Sequence, residues 1–239
     1  MLEIFLDAMV VLFGLVISPF MVGLVDMFCN EEKITFKSIY EKKRFDPKFA
    51  TITPIALLIL FIKFGLTYQF GVYAFLAIIL IMDAFADIKA QIIPNGLNFV
   101  GFLVGAVLIY VTLIKDAMLG IDMLGGMLTG AGIFGIIAFF AYVIYKKEGM
   151  GLGDVKLMGM LGMFFGVFNT IQIFVLSFAI GAIASIFLIV TRIKKANDYM
   201  AFGPFIVIAS FITMFVPYTI MFPNYLSFVS SLCNLISIG

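Results

Sequence analysis

From about residue 4 to residue 222 the chain is a near-continuous succession of apolar runs, each about as long as a membrane crossing and separated by short polar connections. A spanning helix needs roughly 20 apolar residues, within a range of about 17–25. On that measure spans are expected near 4–27, 50–67, 70–88, 95–114, 120–145, 154–170, 171–192 and 201–222. The second is short, and the sixth and seventh are divided only by a weak break at Phe168-Asn169-Thr170, so eight spans are expected, with seven as the fallback. Of the 239 residues 64% are hydrophobic and 12% charged, whereas a soluble domain is about 45–50% apolar and about 25% charged. There is too little polar surface to cover a compact shape in water, and the solvent must be lipid. The expected fold is therefore all-α: a polytopic transmembrane bundle with no soluble domain of any size. Its expected parts are a first transmembrane helix at 1–27, a short charged cytoplasmic loop at 28–49, a transmembrane core at 50–222 and an apolar tail at 223–239. The tail is too short and too rich in Ser and Asn to be a further span.

Orientation follows from the cations, because Lys and Arg concentrate in cytoplasmic loops. Lys33, Lys37, Lys42, Lys43, Arg44 and Lys48 lie in the first connection, Lys89 after the third span, Lys146, Lys147 and Lys156 around the fifth connection, and Arg192, Lys194 and Lys195 after the seventh. An alternating eight-span path puts all of these on one face and leaves only Lys63 and Lys115 on the other. That face is expected to be cytoplasmic, with both termini outside. The first apolar run carries Glu3 and Asp7 and no basic residue before it. A secretory signal has a basic leading region, so this run is expected to stay as a membrane helix.

Several chemistries fall away on composition. The net charge is +1, which gives no basic field for nucleic acid. The chain has no His, removing the usual general base and any Ser-His or Cys-His nucleophile pair. Cys29 and Cys233 are the only cysteines; two isolated thiols do not make a structural zinc site, and both read as packing residues. No metal is expected. A hydrolase built from this chain must do its acid–base work with carboxylates.

A carboxylate within a span costs about 2.5–3.5 kcal/mol on insertion scales, so each one asks for a reason. Asp26 ends the first span and reads as an interfacial cap within reach of nearby cations. Asp83 and Asp87 are four residues apart on the third span, one turn apart on one helix face. Pro94 follows the end of that span and is placed to start the next, since proline suits a first helical turn. In Gly149-Met150-Gly151-Leu152-Gly153-Asp154-Val155-Lys156, alternate glycines disfavour continuous helix, each by roughly 1 kcal/mol relative to Ala. Asp154 then opens the sixth span, where the helix dipole favours a carboxylate. Taken singly, the Asp83/Asp87 pair also suits an ion relay or an interfacial cluster, and Asp154 a helix cap. Taken together, Asp87 and Asp154 fall at comparable depth on one face. Two carboxylates sharing a site hold one proton between them, so one can deprotonate water while the other donates to a carbonyl.

The segments Asp87-x6-Pro94-Asn95 and Gly151-x-Gly153-Asp154-x-Lys156-Leu157, about 60 residues apart, resemble the type 4 prepilin peptidases, the prokaryotic branch of the GxGD membrane aspartyl proteases. Lys63-Phe64-Gly65-Leu66-Thr67 and Phe202-Gly203-Pro204-Phe205 extend the likeness to roughly residues 55–210. The resemblance implies that Asp87 and Asp154 are the catalytic pair and that Gly151, Gly153 and Pro94 shape the loops presenting them. Asp83, Lys89, Asn95 and Lys156 are then supporting or substrate-contacting candidates. It also implies an enzyme of the prokaryotic cytoplasmic (inner) membrane with its site near the cytoplasmic face. The substrates it implies are prepilin or pseudopilin precursors of type IV pilus or type II secretion systems, bound through their apolar N-terminal helix alongside lipid. No cofactor is implied for peptide cleavage; S-adenosylmethionine would be needed only if product methylation were retained. Many bacterial members carry two CxxC pairs in a large first cytoplasmic loop, but here loop 28–49 is short and holds only Cys29, which puts N-methylation in doubt. A polytopic transporter or proton relay through Asp83, Asp87 and Asp154 is the alternative from another class, followed by a catalytically idle scaffold. A protease of the signal-peptide-peptidase kind is disfavoured by the Pro94-Asn95 turn and the lack of a Tyr-Asp pair at the first aspartate.

Overall fold

The computed structural model of the chain describes residues 2–29, 46–145, 151–193 and 200–221. The charged segment between residues 30 and 45, the first part of the Gly149 run and the tail beyond 221 therefore lie outside the described residues. The helices are α1 (Leu2–Cys29), α2 (Pro47–Phe64), α3 (Tyr68–Ala90), α4 (Asn95–Lys115), α5 (Ala117–Tyr145), α6 (Leu152–Val190), α7 (Gly203–Phe215) and the single turn α8 (Tyr218–Met221). Six of them, α1 to α6, are long and apolar enough to cross a membrane, and α7 is a shorter apolar helix. No strand occurs among the described residues. The protein is a multi-pass helical membrane protein, as its sequence predicts.

Local signals set the boundaries. Asp46 caps α2 by accepting the Lys48 N–H at 2.8 Å, with Pro47 as the first helical residue. Gly65, at φ 58°, ends α2, and Thr67 accepts the Phe70 N–H to begin α3. This is the physical content of Lys63-Phe64-Gly65-Leu66-Thr67: a stop and a start within five residues. At the other end of α3, Gln91 adopts a left-handed conformation (φ 54°, ψ 36°) and donates its N–H to the Asp87 carbonyl at 2.9 Å. Pro94 then caps α4. Between them these residues make the tight return that puts Asn95 beside the end of α3.

The largest departure from expectation concerns α6. Thirty-nine helical residues would make a rod of about 58 Å, nearly twice a bilayer core of about 30 Å. The rod is broken at Gly166 (φ 72°, ψ −179°), a backbone region that essentially only glycine adopts. The contacts with α5 show what the break does. A Cβ on Gly126 would meet Gly162 and Gly166, and one on Gly130 would meet both the Met158 carbonyl and Thr170, while Phe134 packs on Phe174 and Phe178. Ascending α5 thus descends residues 152–165 and ascends residues 167–190, so the first limb is antiparallel to α5 and the second parallel. The two limbs form a helical hairpin. Asp122 of α5 sits against Gly166 and accepts the Val167 N–H at 3.2 Å, capping the second limb. The predicted division into two segments is present, but it lies at Gly166 and not at Phe168-Asn169-Thr170. Asn169 serves elsewhere, accepting the Tyr218 N–H at 3.0 Å.

Two of the expected spans are shorter than predicted. The first limb of α6 stops at Phe165, not 170, and α7 stops at Phe215, not 222; both are about 20 Å long. Gly166 ends the former. Pro217 bars continuation of the latter, since its ring disfavours helix at Val216. Among the described residues the result is eight apolar helical segments passing alternately up and down. Asp26, Asp87, Asp154 and the start of α7 share one end, and Lys63, Lys115 and the Gly166 bend share the other. Close helix approach depends on small residues. Gly126 against Gly162, Gly101 against Met160 and Gly14 against Pro54 (2.6 Å from an added Cβ to the Pro54 Cα) leave no room for a side chain.

Candidate active site

Asp87 lies in the last turn of α3 and Asp154 in the first turn of α6, so two separate helices deliver them to the same end of the bundle. Both are buried, with 4% and 6% of their surfaces exposed. They line one cleft of about 220 Å³ with Gln91, Ile92, Ile93, Asn95, Gly151, Leu152, Gly153 and Lys156. Residues 67 positions apart in the sequence thus share a cavity.

The two carboxylates are held differently. Asp87 Oδ2 accepts the backbone N–H of Gly203 at 2.8 Å. Phe202, which precedes α7, offers no side-chain cap, so Asp87 acts as the cap of α7 from another helix. A Cβ on Gly203 would lie 2.6 Å from that oxygen, so the approach requires glycine. Phe202 is itself held in an aromatic cluster with Phe134, Phe178 and Phe205. Asp154 stands in the first turn of its own helix, its N–H donated to the Gly151 carbonyl at 3.1 Å. Gly151, not Asp154, is the helix cap. Gly153 touches Ile93, whose Cβ would be 2.9 Å from an added Cβ, and this draws the start of α6 against the α3–α4 turn. Gly151 has an ordinary φ of −65°, and an added Cβ would make only ordinary contacts, 3.9 Å from Asp154 Oδ2 and from the Gly153 nitrogen, so its geometry does not itself demand glycine.

The other candidates divide. Lys156 donates to Asn95 Oδ1 at 2.8 Å, tying α6 to α4 across the rim of the cleft. Lys89 turns away and pairs with Asp26 in a separate cavity between α1, α2 and α3. It is not brought into the cleft, and its partner explains the position of Asp26 as well. Asp83 is buried at 1% exposure, one turn deeper than Asp87, and neither of its oxygens has a hydrogen-bond partner among the described residues. It lines no part of the Asp87–Asp154 cleft. Gly203 is the site residue to which sequence reasoning assigned no role. Its signal was the Phe202-Gly203-Pro204-Phe205 motif, whose importance lies in a backbone N–H and so leaves no side-chain trace.

The model of the type IV leader peptidase family matches residues 74–186, a stretch that includes both aspartates. Among curated proteins, the chain is 30% identical over 165 residues to a prepilin leader peptidase/N-methyltransferase of Aeromonas salmonicida (strain A449), covering 66% of this chain and 54% of that protein. It is 30% identical over 156 residues to one of Pseudomonas aeruginosa (63% and 51%) and 30% over 177 residues to one of Legionella pneumophila (71% and 58%). The chain thus spans about half the length of the curated relatives it matches. No solved structure matches it. The α3–α6 segment that carries Asp87 and Asp154 belongs to the type IV leader peptidase family.

Proposed function

We propose that the protein is an aspartyl endopeptidase that removes the short basic leader from type IV prepilin-like precursors, with Asp87 and Asp154 as its catalytic pair. The observation that carries this reading is the shared cleft: two buried carboxylates, on different helices, open to one cavity at a bundle end. Two such groups share one proton. The ionised member takes a proton from a water, which attacks the scissile carbonyl. The protonated member donates to the carbonyl oxygen as the tetrahedral intermediate forms. Collapse then breaks the C–N bond, with a proton passing to the leaving amine. The Gly203 N–H supports this scheme by fixing one oxygen of Asp87, so that the carboxylate is oriented before substrate arrives. No metal and no cofactor enters the scheme, and the proposal covers the peptidase step alone.

The described basic residues Lys48, Lys89, Lys156 and Arg192 sit at the aspartate end, and Lys63 and Lys115 at the other. By the positive-inside rule the aspartates then face the cytoplasm, where a basic leader also remains. The precursor's apolar N-terminal helix would lie alongside the bundle within the inner membrane. Cleavage of a model prepilin in membranes, read as the leader shift on a gel, tests the assignment. Asp87→Asn and Asp154→Asn should each abolish cleavage while inserting normally, and Asp83→Asn should keep it. Full activity in Asp87→Asn would sink the pairing. No processing by wild type would favour an ion relay in which Asp83 matters as much as Asp87, a role to which a buried carboxylate without a hydrogen-bond partner among the described residues is suited.

A further inference from the structure

We propose that Lys63, at the end of the bundle opposite the aspartates, is a positioning residue for Asp87 and acts through helix α7. The inference rests on the peptidase reading for its catalytic consequence, and on the geometry of α7 for its cause. Helix α7 has 13 residues and is about 20 Å long. It carries no side-chain cap of its own at the start and no basic residue in its last turn. Both ends are completed by charged side chains from other helices, each of the sign that the helix dipole favours. Asp87 of α3 accepts the Gly203 N–H at the first turn. Lys63 of α2 donates to the Met214 carbonyl at 3.1 Å and to the Phe215 carbonyl at the last turn. Its ammonium also lies 5.0 Å from the Phe215 ring centre and 5.1 Å from that of Phe64. Among the described residues no carboxylate pairs with Lys63, so its polar partners there are the carbonyls of α7.

A helix clamped this way behaves as a strut. Lys63 fixes its axial position from the far end, and that position decides where the Gly203 N–H stands. The tolerance at Gly203 is small. A shift of α7 away from Asp87 stretches a 2.8 Å hydrogen bond beyond its working range, and a shift towards it drives the Gly203 N–H against the same oxygen. Among the described residues, without Lys63 the far end keeps only the Gln172 bond to the Val216 carbonyl, at 2.6 Å, and α7 is then less firmly held against sliding along α3 and α6, with which it packs. Asp87 would then lose the N–H that orients it, with no group of the cleft having been altered. Substrate binding through an apolar helix in lipid does not depend on that N–H, so the damage should fall on turnover.

The test uses the full chain in detergent or nanodiscs, with wild type, Lys63→Met, Lys63→Arg and Asp87→Asn compared. Lys63→Met keeps the length and apolar stem but removes the charge and the donors. Its kcat should fall about 10–100-fold, the scale of an ångström-sized misplacement. KM should stay within about twofold of wild type, the sign that uniform binding is intact. Lys63→Arg, which still caps carbonyls with a cation, should recover most of the loss. Hydrogen exchange followed by mass spectrometry on the peptide containing Gly203 gives a readout independent of activity. Exchange there should accelerate in Lys63→Met and in Asp87→Asn, and return to the wild-type rate in Lys63→Arg. Unchanged kcat, a rise in KM alone, or unchanged exchange at Gly203 would each overturn the proposal. If Lys63→Met does not accumulate, Lys63→Leu, which likewise lacks charge and donors, is read the same way. If wild type cleaves no precursor, the peptidase reading fails, and the exchange at Gly203 still decides whether Lys63 holds Asp87.

Discussion

Asp87 and Asp154 are equally buried, yet only Asp87 is tied to a backbone N–H from a distant helix. That asymmetry gives the pair a fixed member and a member placed by its own helix start. It makes Gly203 a sensitive position. Gly203→Ala should lower kcat by about 10–100-fold, because its Cβ would displace the Asp87 carboxylate. Steady-state cleavage kinetics on purified protein check this, and a thermal unfolding curve close to wild type would show that the fold survives. At this scale the sequence was informative about side chains and mute about main chain. The two aspartates stood out because a carboxylate in a span is costly. Gly203 carries its function on an N–H, and Lys63 looked like one of two stray cations on the wrong side of the membrane. Lys89 illustrates the reverse error: a charged residue near the motif whose partner, Asp26, lies on α1, beyond the reach of any local pattern.

Among the elements, the hairpin in α6 positions the site most directly, because it returns the chain at the depth that leaves Asp154 beside the α3–α4 turn. Gly166→Ala has to place a methyl group against Asp122 at a backbone angle that L side chains rarely adopt. It should destabilise the protein by about 1–3 kcal/mol, measured by thermal unfolding in detergent. Asp122→Ala should cost about 1 kcal/mol by uncapping the second limb. The sequence indicated that a division existed, since 39 apolar residues exceed one crossing. It drew the eye to Asn169 and Thr170 because they are polar. Polarity was the wrong signal, for Asn169 and Gln172 use their amides to bind the segment after α7, Tyr218 N–H and Val216 carbonyl respectively. The real break is a glycine among many glycines, distinguished only by a φ that no composition reveals.

For the molecule as a whole, the alternating path of the segments leaves the described cations sorted between the two ends. This predicts a definite sidedness. In a background lacking Cys29 and Cys233, a membrane-impermeant thiol reagent applied to intact cells should label Lys115→Cys and spare Thr191→Cys. The reverse pattern would overturn the orientation. The bundle's general form was legible in the sequence because lipid leaves a chain little choice: backbone polar groups must be satisfied within helices. Its internal contacts were not legible, because they rest on glycine–backbone approaches such as Gly126 to Gly162, where nothing but shape is recognised.

The short first limb of α6 also bears on how such a chain is made. Fourteen residues are fewer than a segment needs to partition into a bilayer alone, so at the ribosome this limb should wait in the insertion machinery until the residues after Gly166 emerge. The two would then enter as a unit. A chain truncated just after Gly166 and released should therefore leave Asp154 open to the aqueous side, and the cleft would exist only once the second limb has been made.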